Sequence, residues 1–178
     1  MKKLLAVFAA FAALSAGLLL PAVAEEETVT ATVTPCTVAT SITAGTVTYG
    51  TLELSPSAAS PTKKNTVELT QTKTITNSGS CIADLQVKSS DATPATNWDL
   101  VACGSVAANA FGHQYKINAA SDFTGAADFP ASNDYTVDLG DVAASGGTAS
   151  LDLGICMPTS STDSTQKSIT VTALLTAQ

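Results

Sequence analysis

The chain contains no arginine and a single histidine, and only 13 % of its 178 residues are charged. Eight lysines stand against fifteen acids, a formal charge of −7. An acidic chain without arginine is poorly suited to phosphate backbones or anionic membrane surfaces. Neither nucleic acid nor a membrane is therefore expected as a partner of the processed chain. Aromatic residues make up 5 %. No G-x-S-x-G, H-E-x-x-H or phosphate-cradling glycine loop occurs, so the motifs of the common hydrolases and nucleotide enzymes are missing. The four cysteines include no CxxC pair, which removes the usual ligand knuckles of a structural zinc site. After residue 24 there is no segment of helical period and no second long apolar run. No catalytic constellation is visible, and the expectation is a non-enzyme without cofactor.

What is present begins with a leader. Lys2 and Lys3 precede an apolar stretch over residues 4–20, and Ala22-Val23-Ala24 forms a small-x-small site before Glu25. That order describes a secretory signal peptide, residues 1–24. Its removal takes the formal charge to −9 and leaves residues 25–178, enough for one domain with a core. The protein is expected to be secreted, extracellular or at the cell surface.

Residues 25–178 alternate with a period of two, as half-buried strands do. In residues 66–76 Val67, Leu69 and Ile75 share one face, and Glu68, Thr70, Thr72, Thr74 and Thr76 the other. After the turn residues Asn77-Ser78-Gly79-Ser80, Ala83, Leu85 and Val87 alternate with Asp84, Gln86 and Lys88. Residues 46–54 change phase at Gly50, with Val47 and Tyr49 before it and Leu52 and Leu54 after, as at a β-bulge. Further alternating runs carry Trp98 and Leu100; Phe111, His113, Tyr115 and Ile117; Tyr135, Val137 and Leu139; Leu151, Leu153 and Ile155; and Ile169, Val171, Ala173 and Leu175. Eight or nine short strands separated by Gly, Pro, Ser and Asn turns predict an all-β, two-sheet sandwich, immunoglobulin-like or jelly-roll-like, over residues 36–178.

Residues 27–34, ETVTATVT, alternate strictly and place Val29, Ala31 and Val33 on one face before Pro35. The segment 25–35 reads either as an ordinary edge strand or as a strand that pairs with a neighbouring subunit. Cys36, Cys81, Cys103 and Cys156 make an even set in an exported chain, which points to two disulfides. If residues 83–87 and 97–102 formed a hairpin with Leu85 opposite Trp98, Cys81 would fall beside Cys103. That leaves Cys36 with Cys156. In an immunoglobulin-like order all four could lie near one end of the sandwich, and the pairing stays open.

Few side chains suggest chemistry. His113 shares its face with Phe111, Tyr115 and Ile117, the surroundings of a packed histidine. Asp134, Asp138 and Asp141 are weak calcium candidates, although their spacing does not match an EF-hand loop. Trp98, Tyr49, Tyr115 and Tyr135 would serve a sugar-binding platform if exposed, but Trp98 alternates with Leu100 and reads as core.

Residues 33–54, VTPCTVATSITAGTVTYGTLEL, resemble the opening of spore coat protein U-type domains and chaperone–usher pilins: strand, cysteine, strand, then a hydrophobic-Gly step at Tyr49-Gly50 and a second cysteine at Cys81. GTLEL followed by ITNSGSCIADLQV is similar to camelysin/TasA-type matrix-fibre proteins. The resemblance implies an exported, non-enzymatic β-sandwich that assembles by strand exchange. The pilin pattern also implies Cys36–Cys81, and hence Cys103–Cys156, against the hairpin pairing above. The chain departs from pilins in carrying four cysteines instead of two. Together these readings predict a structural subunit of an extracellular filament or matrix whose partner is itself, with Val29, Ala31 and Val33 as subunit contacts. The alternative is a monomeric extracellular module that binds carbohydrate or calcium.

Overall fold

The computed structural model describes residues 32–43, 45–94, 97–119 and 121–178. The expected leader and the expected contact residues Val29 and Ala31 lie outside the described residues. The chain divides into two compact units, Met1–Thr34 and Pro35–Gln178. Of the first, Thr32, Val33 and Thr34 are described, and all three are exposed.

The second unit is built of strands in two sheets. Its elements are β1 (Thr40–Ile42), β2 (Lys63–Asn65), the one-turn helix α1 (Thr66–Leu69), β3 (Lys73–Asn77), β4 (Ala83–Ser89), β5 (Asp99–Val101), a 3-10 turn (Cys103–Ser105), β6 (Ala110–Ile117), β7 (Ala127–Asp128), β8 (Asp141–Val142), β9 (Gly147–Cys156) and β10 (Val171–Ala177). The larger sheet runs β1-β3-β9-β6-β5, with β2 also on β9 and β7 on β6. The smaller runs β10-β4-β8. The inward faces meet as in a sandwich. Ile75, Leu151, Leu153, Ile155 and Phe111 of one sheet pack with Leu85, Val87, Val142 and Leu175 of the other. The period-two readings of β6, β9 and β10 place these side chains as expected.

β9 is the spine. Its ten residues pair with β3 and β2 along one edge and with β6 along the other. Its outer face is covered too. Asp152 is fully buried, and its Oδ1 accepts hydrogen bonds from the hydroxyls of Thr66 and, at 2.5 Å, Thr72. Thr66 Oγ1 in turn accepts from the Leu153 N–H.

Several sequence expectations are corrected. Residues 66–69 form a helical turn rather than a strand, because Asn65 caps it by accepting from the Glu68 N–H. The alternating runs on either side of Asn77-Ser78-Gly79-Ser80 fall in different sheets, β3 in one and β4 in the other. β4 does not form a hairpin with the Trp98 strand; it pairs with β10 and β8, while β5 runs parallel to β6. The disulfides are therefore Cys36–Cys81 and Cys103–Cys156, with Cα separations of 5.3 and 5.5 Å. Cys81–Cys103 with Cys36–Cys156 is excluded by that topology. Nor do the four cysteines share one end: Cys156 closes β9, whereas Cys81 follows β3, whose last residue Asn77 pairs with Gly147 at the start of β9. Around Tyr135 the expected phase fails at Val137, although Leu139 packs on the core as expected. Thr136 is buried and Val137 is 81 % exposed, because Thr136 docks on β4 through both its N–H to Val87 O and its hydroxyl, which accepts from Val87 N–H.

Candidate functional site

One edge of the sandwich is open. Between residues 42–52 and residues 164–171 lies a groove of about 860 Å³. Its floor is the inward row of β9, Leu151, Leu153 and Ile155, continued by Met157, with His113 and Trp98 beside it.

The wall formed by residues 46–53 has free backbone, while Ser168 and Thr170 of the other are bonded to Thr93 and Ser90 on the side away from the groove. On one side, residues 46–53 make no backbone–backbone hydrogen bond among the described residues; Thr48 N–H is held by Gln71 Oε1 instead. Yet this stretch keeps the alternation of a strand, with Val47, Tyr49 and Leu52 half-buried against the core. The phase step between Tyr49 and Leu52 sits at Gly50, whose φ of +78° suits a residue without Cβ. Leu54 does not follow the new phase and is 43 % exposed. On the other side β10, whose first residue Val171 lines the groove, pairs among the described residues with β4 alone. Its inward row extends back through Ile169, half-buried on the core. The two walls run antiparallel: residues 43–48 track Thr74 to Gln71 toward Ser55, which bonds Pro158, whereas β10 runs from Ser89 of β4 toward Ala83. Two unpaired edges over an apolar floor are the geometry that accepts an added strand.

His113 is the polar feature of the floor and is 1 % exposed. Nδ1 lies 2.7 Å from Ser89 Oγ, and Nε2 lies 3.5 Å from the Tyr49 hydroxyl. The Phe129 ring packs on it at 4.9 Å between centroids. Burial lowers the imidazole pKa from 6.5 to about 3, so the ring is neutral. Burial also pushes the Tyr49 phenol above its ordinary value. Ser89 is itself 2 % exposed, so the Ser89–His113–Tyr49 chain is a packed network rather than a nucleophile facing solvent.

The acidic and aromatic candidates are placed as follows. Asp138 and Asp141 come together with Asp84, their oxygens within 4.8 Å of one another. Asp134 is not in this group. The Gln178 side-chain amide donates to both Asp84 and Asp141 and so already occupies the space between them. Trp98 is 7 % exposed and donates its indole N–H to Ser161 Oγ, leaving no flat face to solvent. Tyr135 lies under the Lys88 ammonium. Val33, among the expected contact residues, is 92 % exposed.

Comparison with protein-family models, curated proteins and solved structures finds no match. The chain's own geometry therefore carries the functional argument.

Sequence reasoning did not single out Lys73, Ser89 or Asp84. Lys73 has a signal in retrospect: it shares the inward face of β3 with Ile75, a charged residue on an apolar row. No helix among the described residues is long and apolar enough to cross a membrane. The two disulfides belong to an oxidising, extracellular-type environment.

Proposed function

We propose that this protein is an exported structural subunit that builds a cell-surface or extracellular filament by β-strand complementation. Residues 27–34 of one copy, with Val29, Ala31 and Val33 on the inward face, fill the groove of the next. The observation that carries this reading is the groove itself. Its hydrophobic floor lies between residues 46–53, which make no backbone–backbone hydrogen bond among the described residues, and the side of the β10 strand turned away from β4. An inserted strand supplies both the missing hydrogen bonds and the missing side chains.

Each copy carries one such segment and one groove. Such a contact is heterologous and propagates as an open chain instead of closing into a dimer. The low charge and threonine-rich alternation of residues 27–34 suit a strand that is exposed until it is received.

The test is deletion of residues 25–35 from the mature protein. Size-exclusion chromatography and negative-stain electron microscopy of the secreted material should show filaments for the intact chain and none for the deletion. Filaments formed by the deleted chain would rule out this donor.

A further inference from the structure

A strand can enter the groove in two directions and several registers, and the charges at its ends discriminate among them. Lys73 lies at one end. It points to the inward side of β3 like Ile75, is half-buried, pairs with Leu151 across the ladder, and has its Nζ beside Gly45. It forms no ion pair among the described residues. The other end, near Trp98, holds Lys167, which already binds Asp163 at 3.1 Å and the Pro94 carbonyl. An acid arriving at the Lys73 end meets an available cation. At the other end it is buried beside Met157 and Trp98, with a lysine that is engaged.

Within residues 27–34 the proposed donor carries one such acid on its inward face; Glu25 shares that parity, but seating it at Lys73 would bury Glu27 over Leu153. Glu27 has the parity of Val29, Ala31 and Val33. Glu27 and Val33 are six residues apart, as are Leu151 and Met157 on the groove floor. At a common rise of roughly 3.3 Å per residue, the two rows match end to end over about 20 Å. With Glu27 at Lys73, Val29 lies over Leu153, Ala31 over Ile155, and Val33 over Met157. Ile155 is the ladder partner of His113, whose Nε2 lies 3.5 Å from the Tyr49 hydroxyl. The smallest side chain of the donor thus falls beside the Tyr49–His113 contact.

We propose that a Glu27–Lys73 ion pair between copies fixes the direction and register of the inserted strand, with Ala31 seated at the Tyr49–His113 step. The inference rests on the strand-complementation reading and adds its polarity. The strand then runs antiparallel to β10, the arrangement with the better-aligned ladder.

The experiment follows the assembly rate of the full mature chain by light scattering, with electron microscopy of the product and a melting curve for every variant. Lys73→Glu and Glu27→Lys should each slow assembly about tenfold at low salt, and the double variant should recover most of that rate. Glu27→Gln, which leaves the groove unchanged, should slow assembly less and flatten its salt dependence. Ala31→Leu should block assembly without lowering the melting temperature. Filaments that grow at the same rate in all the charge variants would overturn the register and leave strand complementation standing. Failure of the intact chain to form filaments would overturn both.

Discussion

His113 offers a clean measurement, because it is the single histidine in the chain. In the folded protein its pKa is lowered to about 3; in the unfolded chain it returns to 6.5. Between those values the unfolded state binds a proton that the folded state refuses. Stability is therefore full above pH 6.5 and falls as the pH drops toward 3. Each pH unit in that window costs about 1.4 kcal/mol. From pH 7 to pH 5 the loss is about 2 kcal/mol, a large fraction of a domain's stability. Ordinary carboxylates titrate near pH 4 and contribute little above pH 5. The assay is urea unfolding at pH 7, 6 and 5 with the disulfides intact, for the natural chain and for His113→Gln. The variant is expected to be less stable at pH 7, since the Ser89 and Phe129 contacts are disturbed, but nearly flat across the range. A natural chain as stable at pH 5 as at pH 7 would refute the burial argument. So would a variant with the same slope.

Gly112 has no room for a side chain: an added Cβ would lie 2.6 Å from Cys103 Cα and 2.7 Å from its sulfur. Gly112→Ala should cost about 2–3 kcal/mol in thermal or denaturant melts. A near-neutral result would show that the Cys103 turn can shift. Thr66→Val removes the hydroxyl shared by Asp152 and the Leu153 N–H, and should cost about 2–3 kcal/mol because both groups are buried. Peptide mapping under non-reducing conditions should return Cys36–Cys81 and Cys103–Cys156, and four free thiols would contradict the fold. Replacing both Cys103 and Cys156 by Ala should cost about 4 kcal/mol on the chain-entropy estimate for a loop of this length, measured as a shift in the urea midpoint.

The rows of alternating side chains were legible before any coordinates. Leu151, Leu153 and Ile155 face inward because a strand allows nothing else once one face must be buried. The step from Tyr49 to Leu52 across Gly50 was readable for the same reason. What alternation does not carry is the identity of the neighbour. Nothing local says that β3 and β4, four turn residues apart in the reading, enter different sheets, or that β5 lies parallel to β6. Those pairings are settled by non-local packing. Thr136 replaced Val137 on the inside because a hydroxyl could serve the Val87 N–H, a partner invisible in the sequence. The groove was half legible. Its wall showed as an apolar face over residues 46–52, but a strand that lacks a partner looks in sequence like one that has a partner.

The Cys36–Cys81 link has a mechanical consequence. A pull on the amino-terminal side of Cys36 is handed through sulfur to Cys81, so residues 37–80 lie outside the line of tension. The covalent shortcut spares β1 and residues 42–52 from being drawn out of the fold when the chain is pulled from that end.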